Sequence, residues 1–152
     1  MRFDLVPWLL MAALLTAGCA SGEEPYSLAI LLHELLPNLE DWSISILATD
    51  VNTIALDRAR KAVYNSWSFR EEKSHPYRDK YFTRVGNSWE LDPKISQMVT
   101  FSRMNLASPD YPSYETNTTF MDLILCRNVL IYLGESIIRN MVDQFFNCIQ
   151  PG

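Results

Sequence analysis

Apolar residues along this chain fall into short unbroken runs separated by amphipathic stretches, a pattern that predicts strands and helices in turn. Met11–Ala17 is apolar apart from Thr16 and reads as a fully buried strand, followed by a glycine-bearing loop, Gly18–Gly22. From Glu24 to Leu36 the residues Leu28, Leu31, Leu32, Leu35 and Leu36 repeat at helical spacing. Glu23, Glu24 and Pro25 suit its first turn, where carboxylates meet the positive end of the helix dipole and proline loses no hydrogen bond. Pro37 and Asn38 stop it. Ser43–Thr49 predicts a second buried strand that ends at Asp50. Helical periodicity returns with Ile54, Leu56, Ala59 and Val63, capped by Asn52 or Thr53. Residues Ser66–Lys94 are irregular, with turn signals at His75-Pro76, Gly86-Asn87 and Asp92-Pro93; a short helix and a small antiparallel hairpin around Trp89 are expected there. Met98–Met104 and Phe120–Cys126 predict two more strands, and Glu135–Ile149 an amphipathic helix closing at Pro151-Gly152.

Strands that are apolar throughout, rather than alternating, belong in a parallel α/β sheet covered on both faces. Ligands of such sheets sit beyond the carboxyl ends of the strands, where the strand order reverses. The chemistry is therefore expected just after Ala17, Thr49, Met104 and Cys126. Polar residues cluster at those places: Gly18 to Glu24, Asp50, Asn105, and Arg127-Asn128.

Composition narrows the function. The chain has 152 residues, 48% hydrophobic and 20% charged, which suits one globular domain with a core. A net charge of −5 speaks against nucleic-acid binding. The eight Lys and Arg residues between Arg58 and Arg84 read as a solvated face beside Glu71, Glu72 and Asp79. Cys19, Cys126 and Cys148 form no CxxC and no even framework, and His33 and His75 lie far apart, so neither disulfides nor a metal site are expected. His33 reads as an ordinary boundary histidine.

The stretch Leu5–Ala17, with Arg2 ahead and Cys19 behind, imitates a lipoprotein export signal. Its thirteen residues are too few to span a bilayer comfortably. Asp4 cancels the leading positive charge, and Thr16 stands three before the cysteine where a leucine-like residue is usual. Four converging strand ends favour the other reading, a strand–loop–helix turn holding a small molecule.

Gly18 and Gly22 are expected to let that molecule approach the loop backbone closely. No Gly-Lys-Ser/Thr follows, and Glu23-Glu24 would repel a pyrophosphate, so this is not a phosphate loop. Asp50, 26 positions after Glu24, is placed to accept hydrogen bonds from ribose hydroxyls. A nucleoside with a cationic end and no phosphate points to S-adenosylmethionine.

The strings GCASGEEPYSLAILLHE, ILATDVNTIALDRARKAVY, FSRMNL and DLILCRNVLIYL closely resemble the CheR-type chemotaxis receptor methyltransferases, from about Thr16 to Gly152. The resemblance implies a Rossmann-like S-adenosylmethionine-dependent methyltransferase sheet, and methyl transfer to glutamate side chains of methyl-accepting chemotaxis receptors, giving glutamyl methyl esters. It implies a cytoplasmic protein without stable membrane insertion; no oligomer is expected. Carried over by position, Glu24 matches the ligand-binding acid of the first loop and Asp50 the acid after the second strand. Asn105 and Leu106 match the pair bordering the adenine, Arg127 and Asn128 the pair after the fourth strand, and Tyr132 a tyrosine near the transferred methyl. Tyr132 and Arg127 are the expected catalytic residues; Gly18, Gly22, Glu24, Asp50, Asn105, Leu106, Arg127 and Asn128 are the expected cofactor residues. Other roles stay open: Asn105 as a turn cap, Arg127 as a surface ion pair, Tyr132 as packing, Asp50 as a helix cap. A glutamate nucleophile is already ionised at neutral pH, so no general base is needed. A dry pocket and in-line alignment are the expected contributions, with Tyr132 orienting the substrate carboxylate.

The family's upstream helical domain and its Asn-x-Thr-x-Phe-Phe-Arg motif have no counterpart in this sequence, and members continue past Pro151-Gly152 into strands that complete the sheet. The expectation is a truncated catalytic domain, residues 16–152, preceded by an atypical apolar segment, residues 1–15. Its sheet would be incomplete on the C-terminal side, with the fourth strand left at an edge. Residues Tyr81–Ile95 match loosely the family's small β-subdomain, which grips a receptor tail in some members. Two competing readings are a remnant that binds S-adenosylmethionine or S-adenosylhomocysteine without turnover, and a secreted lipoprotein.

Overall fold

A computed structural model describes residues 10–149. Residues 5–9 of the apolar run, the larger part of the expected segment 1–15, and the helix end at Pro151-Gly152 lie outside the described residues. In chain order the elements are β1 (Leu10–Ala17), α1 (Glu23–Leu35), β2 (Trp42–Asp50), α2 (Thr53–Lys61), β3 (Val63–Asn65), α3 (His75–Tyr81), β4 (Phe82–Val85), β5 (Ser88–Leu91), α4 (Pro93–Ser96), β6 (Val99–Arg103), β7 (Leu123–Cys126) and α5 (Glu135–Ile149). The expected boundary between residues 15 and 16 falls inside β1, and the stretch that imitates an export signal contributes this central strand.

Four strands pair in the order β6-β2-β1-β7, all parallel. Leu14–Ala17 and Ile46–Thr49 are buried without a break, as a sheet covered on both faces requires. Alternation along the strands sorts their side chains between two cores. Leu14, Ile46 and Ala48 pack with Tyr26, Leu28 and Leu56 from α1 and α2. Leu15, Ala17 and Leu47 face Tyr111, Met141 and Cys148, the last two from α5. Among the described residues β7 pairs on one side only, with β1, so it stands at an edge as expected.

Local signals set most boundaries. Asn52 caps α2, its Oδ1 accepting from the N–H groups of Ile54 and Ala55 at 3.0 and 3.1 Å. That excludes the reading of Asp50 as this helix's cap. Val63, expected on α2, lies in β3 instead: Ala62 takes a left-handed conformation (φ 51°) that ends the helix and turns the chain into an extended segment. The fourth strand is shorter than expected, because Phe120 is also left-handed (φ 58°) and the Met121 N–H is held by the Cys148 carbonyl. The hairpin around Trp89 forms as β4 and β5, with Gly86 at φ 60° in its turn. β3 joins it to give a separate antiparallel sheet, β3-β5-β4.

Candidate cofactor site

β1 is flanked by β2 on one side and β7 on the other, so the chains leaving its end and theirs diverge and open a crevice. A cavity of about 520 Å3 lies there, lined from the loops that follow β1, β2, β6 and β7. The first loop is built by hydrogen bonds to the neighbouring strand. Gly18 and Cys19 both donate their N–H to the Thr49 carbonyl, at 2.8 and 2.9 Å. Ala20 N–H donates to Asp50 Oδ2 at 2.8 Å, and Asp50 Oδ1 accepts from Asn52 N–H at 2.8 Å. Gly22 N–H closes the turn on the Cys19 carbonyl at 3.0 Å. Four amide donors of the loop are therefore already committed, which explains chemically why it is no phosphate cradle.

The two glycines do different things. Gly18 lines the cavity at φ 78°, and a Cβ there would lie 2.3 Å from Val129 Cγ2. Gly22 is at φ 92° but is not among the lining residues. A Cβ on it would meet Ala59 Cβ at 2.9 Å and Tyr64 Oη at 3.0 Å. Gly22, expected to admit a ligand, has its bare backbone against Ala59 of α2 and Tyr64 of the small sheet instead.

The remaining expected residues meet at the cavity. Arg127 and Glu24 both line it and pair with each other there, Nη1 to Oε2, at 3.6 Å. The Glu24 side chain is 24% exposed and Arg127 71%, a loose pair on the wet side. Asp50 lines the floor of the first loop. Asn105 does cap a turn, its Oδ1 accepting from Ala107 N–H at 3.0 Å, and it also faces the cavity beside buried Leu106. The Leu106 carbonyl accepts from the Tyr111 hydroxyl at 2.9 Å, and Gln144 donates to the carbonyls of Ser108 and Tyr111, so α5 holds this third loop. Asn128 takes a left-handed conformation, φ 59°. Tyr132 ends the 3-10 turn Leu130–Tyr132 at the rim and is 81% exposed, so it is not packing against α5.

The charged lining is three carboxylates, Glu23, Glu24 and Asp50, against one guanidinium. Such a set favours a cationic ligand. Val51, Met104, Val129 and Leu133 complete an apolar wall that sequence reading did not single out, because apolar residues after a strand carry no chemical signal of their own. Cys19 also lines the cavity. Burial, and next the Asp50 carboxylate, push its thiol up to about 12, so it stays protonated and is no nucleophile at neutral pH. Burial, then Glu24, likewise push Cys126 up. A nucleoside carrying a cationic amino-acid tail fits this set: acceptors for hydroxyls and ammonium, an apolar wall for a base, and a volume ordinary for such a ligand.

Comparison with known proteins agrees with this chemistry. Residues 10–152 match the family described as CheR methyltransferase, SAM binding domain. Chemotaxis protein methyltransferase 2 of Vibrio cholerae is 36% identical over 135 residues, covering 88% of this chain and 46% of that protein. A chemotaxis protein methyltransferase of Listeria monocytogenes is 39% identical over 137 residues, 90% of this chain and 48% of the relative. One from Borreliella burgdorferi is 32% identical over 132 residues, 86% and 45%. The chain thus spans about half the length of the curated relatives it matches. With a matched region that takes in the whole parallel sheet and every loop of the cavity, the chain belongs to the CheR methyltransferase family, within its S-adenosylmethionine-binding domain.

Proposed function

We propose that this chain binds S-adenosylmethionine in the cavity at the tips of β1, β2, β6 and β7, and serves methyl transfer to glutamate side chains of chemotaxis receptors. The observation that carries the reading is the lining: two acids from separate loops, Glu24 and Asp50, with Asn105 and Leu106 opposite. When bound, S-adenosylmethionine supplies a methyl group on a sulfonium, electrophilic enough to be taken by an ionised carboxylate. Asp50 keeps lone pairs on both oxygens after accepting from Ala20 and Asn52, and offers them to ribose hydroxyls. Glu24, steadied by Arg127, offers an acceptor to the ammonium of the amino-acid tail. Leu106, Met104 and Val51 give the adenine an apolar seat. Tyr132, whose hydroxyl stands at the open rim, donates to the incoming carboxylate and orients it. No residue is required as a base, since the receptor glutamate is ionised at neutral pH.

The test is calorimetry with S-adenosylmethionine and S-adenosylhomocysteine, followed by transfer of a labelled methyl group to receptor-bearing membranes. Heat with both ligands and alkali-labile label on receptor supports the proposal; no heat with either ends it. A second reading is binding without turnover, since the chain spans under half the length of relatives such as those of Vibrio cholerae and Borreliella burgdorferi. Heat without label transfer selects it.

A further inference from the structure

No residue of the small antiparallel sheet lines the cavity, yet one of them holds the loop that does. Tyr64, the middle residue of β3, donates its hydroxyl to the Ser21 carbonyl at 2.9 Å. The same oxygen lies 3.0 Å from where a Cβ on Gly22 would be, so the loop rests directly against it. The ring is itself immobilised. It is buried, packs edge-on against Tyr26 (centroids 6.3 Å apart) and Phe82 (6.3 Å), and Phe82 packs in turn against Phe69 at 4.9 Å. Backbone pairing with Trp89 fixes its height in the sheet. Burial raises the phenol's pKa, so the hydroxyl remains a donor throughout the working pH range. Asp50 holds Ala20 from the parallel sheet, and Tyr64 holds the next residue's carbonyl from the antiparallel one. The loop is gripped at adjacent residues by two different sheets.

We propose that Tyr64 is a positioning residue for the cofactor loop: through its hydroxyl the small sheet fixes Ser21, and so sets where Gly18–Ala20 and Glu24 present themselves to the methyl donor. This rests on the reading of the cavity given above, and deepens it by giving the small sheet a part in cofactor binding that it performs without touching the ligand.

Tyr26 provides a matched control. It too is a buried tyrosine whose hydroxyl donates once to a backbone carbonyl, at 3.0 Å, but that carbonyl is Ala59's on α2 and not a loop residue's. Calorimetry with S-adenosylhomocysteine on the full chain should show Tyr64→Phe binding about three- to tenfold more weakly. Tyr26→Phe should lower the melting midpoint comparably and leave affinity within about twofold of the parent. Equal affinity of Tyr64→Phe and the parent overturns the proposal, as does an equal loss in both variants. If the parent shows no heat, the reading of the cavity fails, and Tyr64 is judged by hydrogen exchange of the free protein. Faster exchange at the Ala20 and Gly22 amides in Tyr64→Phe, but not in Tyr26→Phe, upholds it; unchanged exchange overturns it. Should Tyr64→Phe fail to fold, Phe82→Leu, which frees one flank of the ring, should weaken binding at least about threefold and speed exchange at the Ala20 and Gly22 amides; affinity and exchange equal to those of Tyr26→Phe overturn the proposal.

Discussion

On one bank of the cavity, residues Gly18–Gly22 are tied by Thr49, Asp50 and Tyr64 into a single arrangement. On the other bank Arg127 and Tyr132 reach into solvent, held by little more than one long ion pair and a 3-10 turn. Ordering a backbone residue costs about 1–2 kcal/mol, so a loop ordered during folding need not be ordered again by its ligand. On the function proposed above, the built bank is the cofactor's, a surface formed before the ligand arrives. On the same proposal the open bank, where Arg127 and Tyr132 are exposed, is the side left for a protein substrate.

Substitutions on the two banks should accordingly fail in different ways, those of the built bank in binding and folding, those of the open bank in turnover. The largest effect is expected for Asp50→Ala. It removes the acceptor for Ala20 and Asn52 as well as the proposed ribose contact, and should weaken S-adenosylhomocysteine by about 3 kcal/mol, roughly a hundredfold. Calorimetry reads it; unchanged affinity would show that the first bank is not the cofactor's. Next comes Gly18→Ala, which meets Val129 at 2.3 Å and a left-handed backbone, and should cost about 2–3 kcal/mol in urea unfolding. Adding Val129→Ala should recover the steric part and leave the roughly 1–2 kcal/mol of backbone strain. No recovery would mean the two banks do not touch there.

Tyr132→Phe belongs to the open bank. Its turnover with receptor membranes should fall about tenfold while cofactor affinity holds within about twofold. A loss in affinity instead would merge the two banks into one. The smallest effect is confined to alkaline solution. The folded value of Cys19, about 12, lies above its ordinary 9.0, so the folded protein keeps a proton that the unfolded chain releases first. Stability from this group is complete below pH 9.0 and is lost as the pH rises towards about 12. Urea unfolding from about pH 7 to about pH 11 should show a flat region and then a decline, shallower in Cys19→Ala. Tyr26, raised from 10.0 to about 12 by burial, adds to the same decline.

The order of strands and helices was legible because buried parallel strands leave unbroken apolar runs, and Asp50 was legible because it closes one of them. What could not be read depends on contacts between distant segments. Gly22 and Gly18 look alike in sequence, yet one faces Ala59 and Tyr64 and the other Val129 and the cavity. The three residues of β3 carry no period long enough to notice, and Ala62 ends α2 in a conformation more usual for glycine. Phe120 continues an apolar run but turns out of the strand, held by tertiary contacts at Met121. Tyr64 gave no sign of its part, since its partner lies 43 residues away.

The self-satisfied amides of Gly18, Cys19, Ala20 and Gly22 have a bearing on selectivity. Adenosine triphosphate shares the nucleoside of S-adenosylmethionine and competes for any seat shaped to adenine and ribose. A turn that has committed these four nitrogen donors inward, and shows carboxylates outward, offers the triphosphate fewer hydrogen bonds and no counter-charge of its own. Discrimination between the two adenosine compounds then comes from what this turn withholds, at no cost to the grip on the sugar.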